Sequence, residues 1–190
     1  MKNKELYIPI GIECSISHYL RHMGLRYEAF PFDWNVTPIT SALSLIKNNF
    51  EGFMEFENLQ FLPPTKRLLF EENGLDVKIT NDVITPVVCR RYGMLFPHDF
   101  SEEGLNDYKM VKMKYERRIQ RLKDAIEKPI LKILIYNRCA LNDWQLEQYR
   151  LAGMEFEENS KNETQIFAEQ LPIPIKEVKI ISLKRIKQLI

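Results

Sequence analysis

Apolar residues along the chain alternate between two kinds of spacing. Residues 6–12 form a short apolar run with Gly11 near its end, which predicts a first strand followed by a turn. Ile16, Tyr19, Leu20 and Met23 then recur at i, i+3, i+4 and i+7, one face of a helix, with Gly24 as its stop. Between these elements Cys14 is expected at a strand-to-helix turn, beside a helix N-terminus. Residues 29–34 (AFPFDW) are too rich in proline and aromatics for a helix. Thr37 reads as an N-cap with Pro38 at the first helical position, and Ile39, Ala42, Leu43, Ile46 and Phe50 continue as a stripe. A second helix is predicted over about 38–50, with 52–64 irregular.

Further on, residues 83–89 are β-branched but interrupted by Pro86, the pattern of an edge or bulged strand. Tyr92, Met94 and Phe96 alternate as a short strand ending at Pro97-His98-Asp99. Val111, Tyr115, Ile119, Leu122 and Ile126 mark a long amphipathic helix, about 105–127, that stops before Pro129. Residues 130–136 (ILKILIY) are the clearest buried strand. Asn142 or Asp143 caps a helix carrying Leu146, Tyr149 and Leu151, with Gly153 as its stop. The polar stretch 155–163 is expected as a loop, 178–183 (VKIISL) as a last strand, and the terminus as a short helix. Strands separated by helices predict an α/β fold: a single domain over 1–190, with a mixed or largely parallel sheet and flanking helices. Ligands on such sheets bind outside the carboxyl ends of strands, where Cys14 and Asn137 both fall.

Composition narrows the function classes. A chain of 190 residues can bury roughly 70% of its unfolded surface without disulfide or metal staples. Lys and Arg (27) nearly cancel Asp and Glu (26), which argues against nucleic-acid binding as the main function. No run approaches the roughly 20 apolar residues of a membrane span. The first apolar run is too short, and too crowded by Glu5, Pro9 and Glu13, for a signal-peptide core. Three widely spaced cysteines, Cys14, Cys89 and Cys139, suit free thiols in a reducing cytoplasm. The expected setting is therefore cytoplasmic, with no membrane and no nucleic-acid partner.

Cys14 is the first candidate for chemistry. A helix N-terminus stabilises a thiolate, and the turn Gly11-Ile12-Glu13-Cys14-Ser15 offers backbone N–H groups that could cradle an oxyanion. The plainer alternative is a small buried residue beside the sheet. A thiolate needs a base. His98 lies in a proline-flanked loop at a strand end. His18 and His22 follow Cys14 at successive four-residue steps and read as a polar helix face. With Cys14 they would make only half of a metal site, so neither a metal nor another cofactor is expected. Asp99 points away from His98 if the loop is extended, and could cap the next segment. Asp33, an acid among aromatics, either lines a cleft or holds the bend before Thr37. Asn137 could orient an imidazole or simply end its strand. Seven basic residues between Lys109 and Lys123, against the single acid Glu116, read as a solvated helix face. Phosphate-binding loops and the G-x-S-x-G elbow are absent.

The set Gly11-x-x-Cys14, Leu20-Arg21-x-x-Gly24-Leu25-Arg26, Phe30-Pro31-Phe32-Asp33-Trp34 and Phe96-Pro97-His98-Asp99-Phe100 resembles the putative papain-like cysteine peptidases, a largely bacterial family of unknown function. The resemblance runs from about Leu6 to Arg121, and to Asn137 at the furthest. It implies a Cys–His thiol hydrolase in which Cys14 is the nucleophile and His98 the base. The third member would be Asn137, downstream of the histidine, with Asp33 as the alternative that breaks the order. The C-G-S-C-W signature of papain proper is absent, and a long helix separates His98 from Asn137.

Three functions follow as expectations. The first is a cysteine-dependent hydrolase or acyltransferase acting on a peptide or small-molecule substrate. Gly11 and Ser15 would then line the oxyanion turn, and Phe32, Trp34 and Asp99 the substrate cleft. The second is a non-catalytic module that binds a small molecule, a glycan or a peptide in the same cleft, walled by Phe32, Trp34 and Phe96. The third is a nucleotide- or sugar-phosphate transferase using the basic helix.

Overall fold

The computed structural model describes residues 5–11, 15–70, 77–136, 141–156 and 178–182. It is a mixed α/β structure in which parallel and antiparallel pairings fall in different sheets. The parallel sheet has the order β1 (Glu5–Pro9), β7 (Leu131–Tyr136), β8 (Val178–Ser182). Pro9 lacks an N–H, which fits β1 at an edge of this sheet. An antiparallel sheet joins β2 (Leu59–Phe61), β5 (Val87–Cys89) and β6 (Met94–Phe96). The strands β3 (Thr65–Phe70) and β4 (Val77–Ile84) form a separate antiparallel pair.

The ILKILIY run becomes the central parallel strand because both its faces are covered. Ile133 and Ile135 meet Ile16 and Leu20 of α1 (Ser15–His22) on one side. Leu134 and Tyr136 face the larger core on the other. That core also holds α2 (Ile39–Lys47), the β5–β6 hairpin and the apolar stripe Val111, Tyr115, Leu122 and Ala125 of α3 (Tyr108–Glu127). The odd residue of the run, Lys132, is buried and donates through Nζ to the Lys128 carbonyl.

Several expected boundaries move. The 83–89 segment is not one strand: Ile84 ends β4 and Val87 begins β5, with Thr85 and Pro86 between them. The irregular 52–64 stretch contains a 3-10 turn (Phe56–Asn58) and β2, and the strand β3 follows it. Thr37 does not cap α2. Its hydroxyl donates inward to Asn35 Oδ1 (2.5 Å), and Pro38 occupies the cap position without a side-chain bond. The second helix ends at Lys47 rather than Phe50, because Asn49 and Phe50 are left-handed (φ 55° and 64°). Other ends fall as expected. After α1, Gly24 has φ 66° and Leu25 N–H reaches back to the Leu20 carbonyl (2.9 Å). At α4 (Asp143–Leu151), Asn142 and Gln145 form a reciprocal capping box. Among the described residues no helix is long and apolar enough to cross a membrane.

Candidate functional site

The Phe30–Trp34 motif is a tight turn closed on itself. Phe30 N–H donates to Asp33 Oδ2 (2.8 Å), and Asp33 N–H returns to the Phe30 carbonyl (3.2 Å). Three further groups converge there. Ser17 of α1 donates to Asp33 Oδ1 (2.7 Å), Arg26 donates to Oδ2 through Nε (3.0 Å) and Nη2 (2.7 Å), and Arg118 of α3 donates to the Asp33 carbonyl (3.2 Å). Asp33 is 0% exposed, so its charge is stable only because these donors replace water. Both carboxylate oxygens are thereby occupied within the turn, which favours the bend-holding role over that of a catalytic acid.

Trp34 follows with φ 68°, a conformation costly for a bulky aromatic residue. Two contacts hold it. The His18 ring meets the indole edge-on at 4.7 Å (82°), and the Arg26 guanidinium lies 5.5 Å from its centroid. His18 is half-buried against Trp34, not on a solvated helix face as its spacing suggested. His22, one turn on, is exposed.

The next residues tie this turn to two strands. Val36 and Leu95 exchange backbone hydrogen bonds (2.9 and 3.0 Å), and Thr37 N–H donates to the Gly11 carbonyl (3.0 Å). One short segment therefore joins the exit of β1 to β6, and β6 leads directly into Pro97-His98. Gly11, expected as an oxyanion neighbour, is buried, and its carbonyl is bonded to that segment.

His98 is half-buried, and its Nδ1 is buried with no hydrogen-bond partner. Burial, then the nearby charges of Arg67 and His18, disfavour the imidazolium, while Asp99 opposes them; the pKa falls to about 4. The His18 pKa is also lowered, by burial and by Arg21 and Arg26. Asp99 does not cap a helix. It accepts from Tyr115 (2.6 Å) and pairs with Lys114, both on α3. Tyr115 is fully buried; burial and the Asp99 carboxylate hold its hydroxyl protonated. Asn35 Nδ2 donates to that hydroxyl (3.3 Å) and to the Pro31 carbonyl (2.7 Å). Two residues of the supposedly solvated basic face, Lys114 and Arg118, are thus turned toward Asp99 and Asp33.

The structure brings His18 against Trp34, and both His18 and Asp99 within electrostatic reach of His98, while Asp33 closes the turn that precedes Trp34. It does not bring in Phe32 or Phe96 as cleft walls. They are 1% and 0% exposed, and Phe32 stacks on Phe50 within the core. Ser15 begins α1. Cys14, Asn137 and Cys139 lie outside the described residues. Cys89 is a buried free thiol, its pKa raised by burial. Sequence reasoning missed Arg26, Asn35, Arg67 and Tyr115. Arg26 and Tyr115 carried a signal: one lies within the Leu20–Arg26 motif, the other is a polar-tipped residue in an apolar stripe. Among the described residues no three His, Cys, Asp or Glu side chains cluster to hold a metal ion. A surface groove of about 290 Å³ lies between residues 49–55 and α3, reaching Tyr115; neither His98 nor Asp33 lines it.

The family described as putative papain-like cysteine peptidases matches residues 5–168 of this chain. An uncharacterized protein of Acanthamoeba polyphaga mimivirus is 35% identical over 127 residues, 64% of this chain and 56% of that protein. The chain thus matches a little over half the length of that relative. No solved structure matches.

Proposed function

Because the chain belongs to the putative papain-like cysteine peptidase family, we propose that it is a cysteine-dependent hydrolase or acyltransferase, with Cys14 as nucleophile and His98 as its base. The observation that carries this reading is His98 itself: a half-buried imidazole whose Nδ1 has no partner, within electrostatic reach of His18 on α1. Cys14 immediately precedes Ser15, the first residue of that helix. In this reaction the Cys14 thiol gives its proton to His98, and the thiolate attacks a substrate carbonyl. His98 then protonates the departing group, and water releases the acyl group from sulfur. The lowered pKa keeps His98 in the neutral form, from which a general base acts, throughout the physiological range.

Asn137 is proposed as the residue that orients His98. Asp99 is the alternative acid near the ring, although Lys114 and Tyr115 already engage it. The substrate is a peptide or another small acyl compound, with Trp34 at the edge of its site.

The test is cysteine reactivity. Iodoacetamide at neutral pH should alkylate Cys14 well before Cys89 and Cys139, and His98→Gln should slow that reaction selectively. Equal, slow alkylation of all three cysteines would remove the basis for the proposal. A non-catalytic binding module is the second reading, favoured by the low basicity of His98. It requires that Cys14→Ser leave ligand binding and biological effect intact.

A further inference from the structure

Arg67 is a cation within electrostatic reach of His98, and Thr65, two residues before it, pairs with Ile84, which bridges to Ser101, three residues beyond the histidine. Arg67 sits on β3 where the ladder breaks: Lys66 pairs with Val83, but Leu68 pairs with Ile79, so Arg67 stands opposite three residues of β4. Irregularities of this kind re-aim a side chain and are common near active sites. The backbone there is held locally, Thr80 Oγ1 donating to the Arg67 carbonyl (3.3 Å). The side chain is half-buried, and its Nε is buried with no hydrogen-bond partner. Its charge is close enough to His98 to disfavour the imidazolium more than any other charged group does. The acid nearest that histidine in sequence, Asp99, is engaged by Lys114 and Tyr115.

A buried guanidinium N–H without a hydrogen-bond partner is costly. A planar anion satisfies it best, because the guanidinium fork matches the two oxygens of a carboxylate. We propose that Arg67 selects the substrate of the His98 site by binding a carboxylate carried by the acyl compound. The inference rests on the cysteine-hydrolase reading above and adds the substrate class, a carboxylate-bearing acyl compound. It also gives the site a sequence of events. The bound carboxylate neutralises Arg67, the repulsion on the imidazolium falls, and His98 becomes a stronger base once the correct substrate is present.

Two alkylating reagents of nearly equal shape test this on the intact chain. Iodoacetate carries a carboxylate where iodoacetamide carries an amide, and in both the Cys14 thiolate displaces iodide. The quantity read is the ratio of their rates at Cys14, located by peptide mass spectrometry, with Cys139 as internal reference. Arg67→Gln should lower the iodoacetate-to-iodoacetamide ratio by roughly tenfold or more, the loss of one charged hydrogen-bonded contact. Arg67→Lys should retain part of it. Arg67→Met, which keeps the aliphatic stem, serves if the Gln variant is unstable. An unchanged ratio in Arg67→Gln or Arg67→Met, with Cys14 still the fastest cysteine, overturns the role of Arg67 and leaves the hydrolase reading standing. Slow, equal alkylation of all three cysteines by both reagents overturns both.

Discussion

Arg26 grips Asp33 through two donors on one oxygen. Nε and Nη2 both reach Oδ2, at 3.0 and 2.7 Å, and leave Oδ1 to Ser17 at 2.7 Å. Asp33 is fully buried, and Arg26 is 12% exposed. The same guanidinium lies against Trp34, so one side chain neutralises the acid and supports the strained residue beside it. The pair is what converts an aromatic-proline segment into a fixed turn between α1 and α3.

Removing the acid should be severe. Asp33→Ala leaves Arg26 poorly solvated and unpaired, and strands Ser17 Oγ and Phe30 N–H. A loss of about 3–5 kcal/mol is expected, the usual cost of breaking a buried pair from one side. Urea unfolding of the variant against the parent checks it. A change below 1 kcal/mol, on the scale of an exposed ion pair, would mean that water reaches the turn.

His98 should make stability fall with acid. Its pKa is about 4 in the fold and 6.5 when unfolded. Above pH 6.5 both states are neutral there, and the residue contributes no pH dependence. Between pH 6.5 and 4 the unfolded chain binds a proton that the fold refuses, which costs about 1.4 kcal/mol per pH unit. His98→Gln removes this contribution, so its stability should decline less steeply over that window. Parallel unfolding curves for the two proteins from pH 7 to 4.5 would contradict the burial of the ring.

The contact between His18 and Trp34 offers a spectroscopic reading. With Trp144→Phe, Trp34 is the one remaining tryptophan. Protonation of an imidazole 4.7 Å from the indole quenches its emission. Because the His18 pKa is lowered, by burial first, the quenching midpoint should fall below pH 6.5. It should vanish in His18→Gln; emission that stays constant down to pH 4.5 would separate the two rings.

The loop after His98 is fixed by a close backbone approach. Gly104 has φ 48°, and a Cβ there would lie 2.9 Å from Thr85 Oγ1 and 3.0 Å from Thr85 Cγ2. Thr85 is itself pinned by Thr85 N–H to the carbonyls of Phe100 (3.2 Å) and Ser101 (3.1 Å). Gly104→Ala should therefore cost about 1–3 kcal/mol. Thr85→Ser, which removes Cγ2, should recover part of that loss in the double variant. Additive effects, measured by thermal unfolding, would show that the two positions do not meet.

The elements set by local periodicity were legible. The ILKILIY strand, the α3 stripe and the turn at Gly24 each depend on residues a few positions apart, whose spacing is visible in any linear reading. The β3–β4 pair was not. Its ladder is interrupted and Pro86 lies just beyond it, so the apolar pattern of 83–89 merged the end of β4 with β5. Phe32 and Phe96 were misplaced for a related reason. Aromatic residues in a proline-rich segment suit a cleft wall and a core equally well, and only the positions of Phe50 against Phe32, and of Phe53 and Tyr115 against Phe96, distinguish them.

The sequence by itself determined the family, the α/β class and the candidacy of His98, because motifs and periods are local. Tertiary structure alone decided what those residues face. It turned Asp33 from an available acid into the charge held by Arg26, Ser17 and a backbone amide. It moved His18 from a polar face to Trp34, and brought the charge of Arg67 within reach of His98 across 31 positions of chain. Charge and hydrogen-bond partners act through space, and their strength depends on the water removed around them, a quantity that no linear spacing encodes.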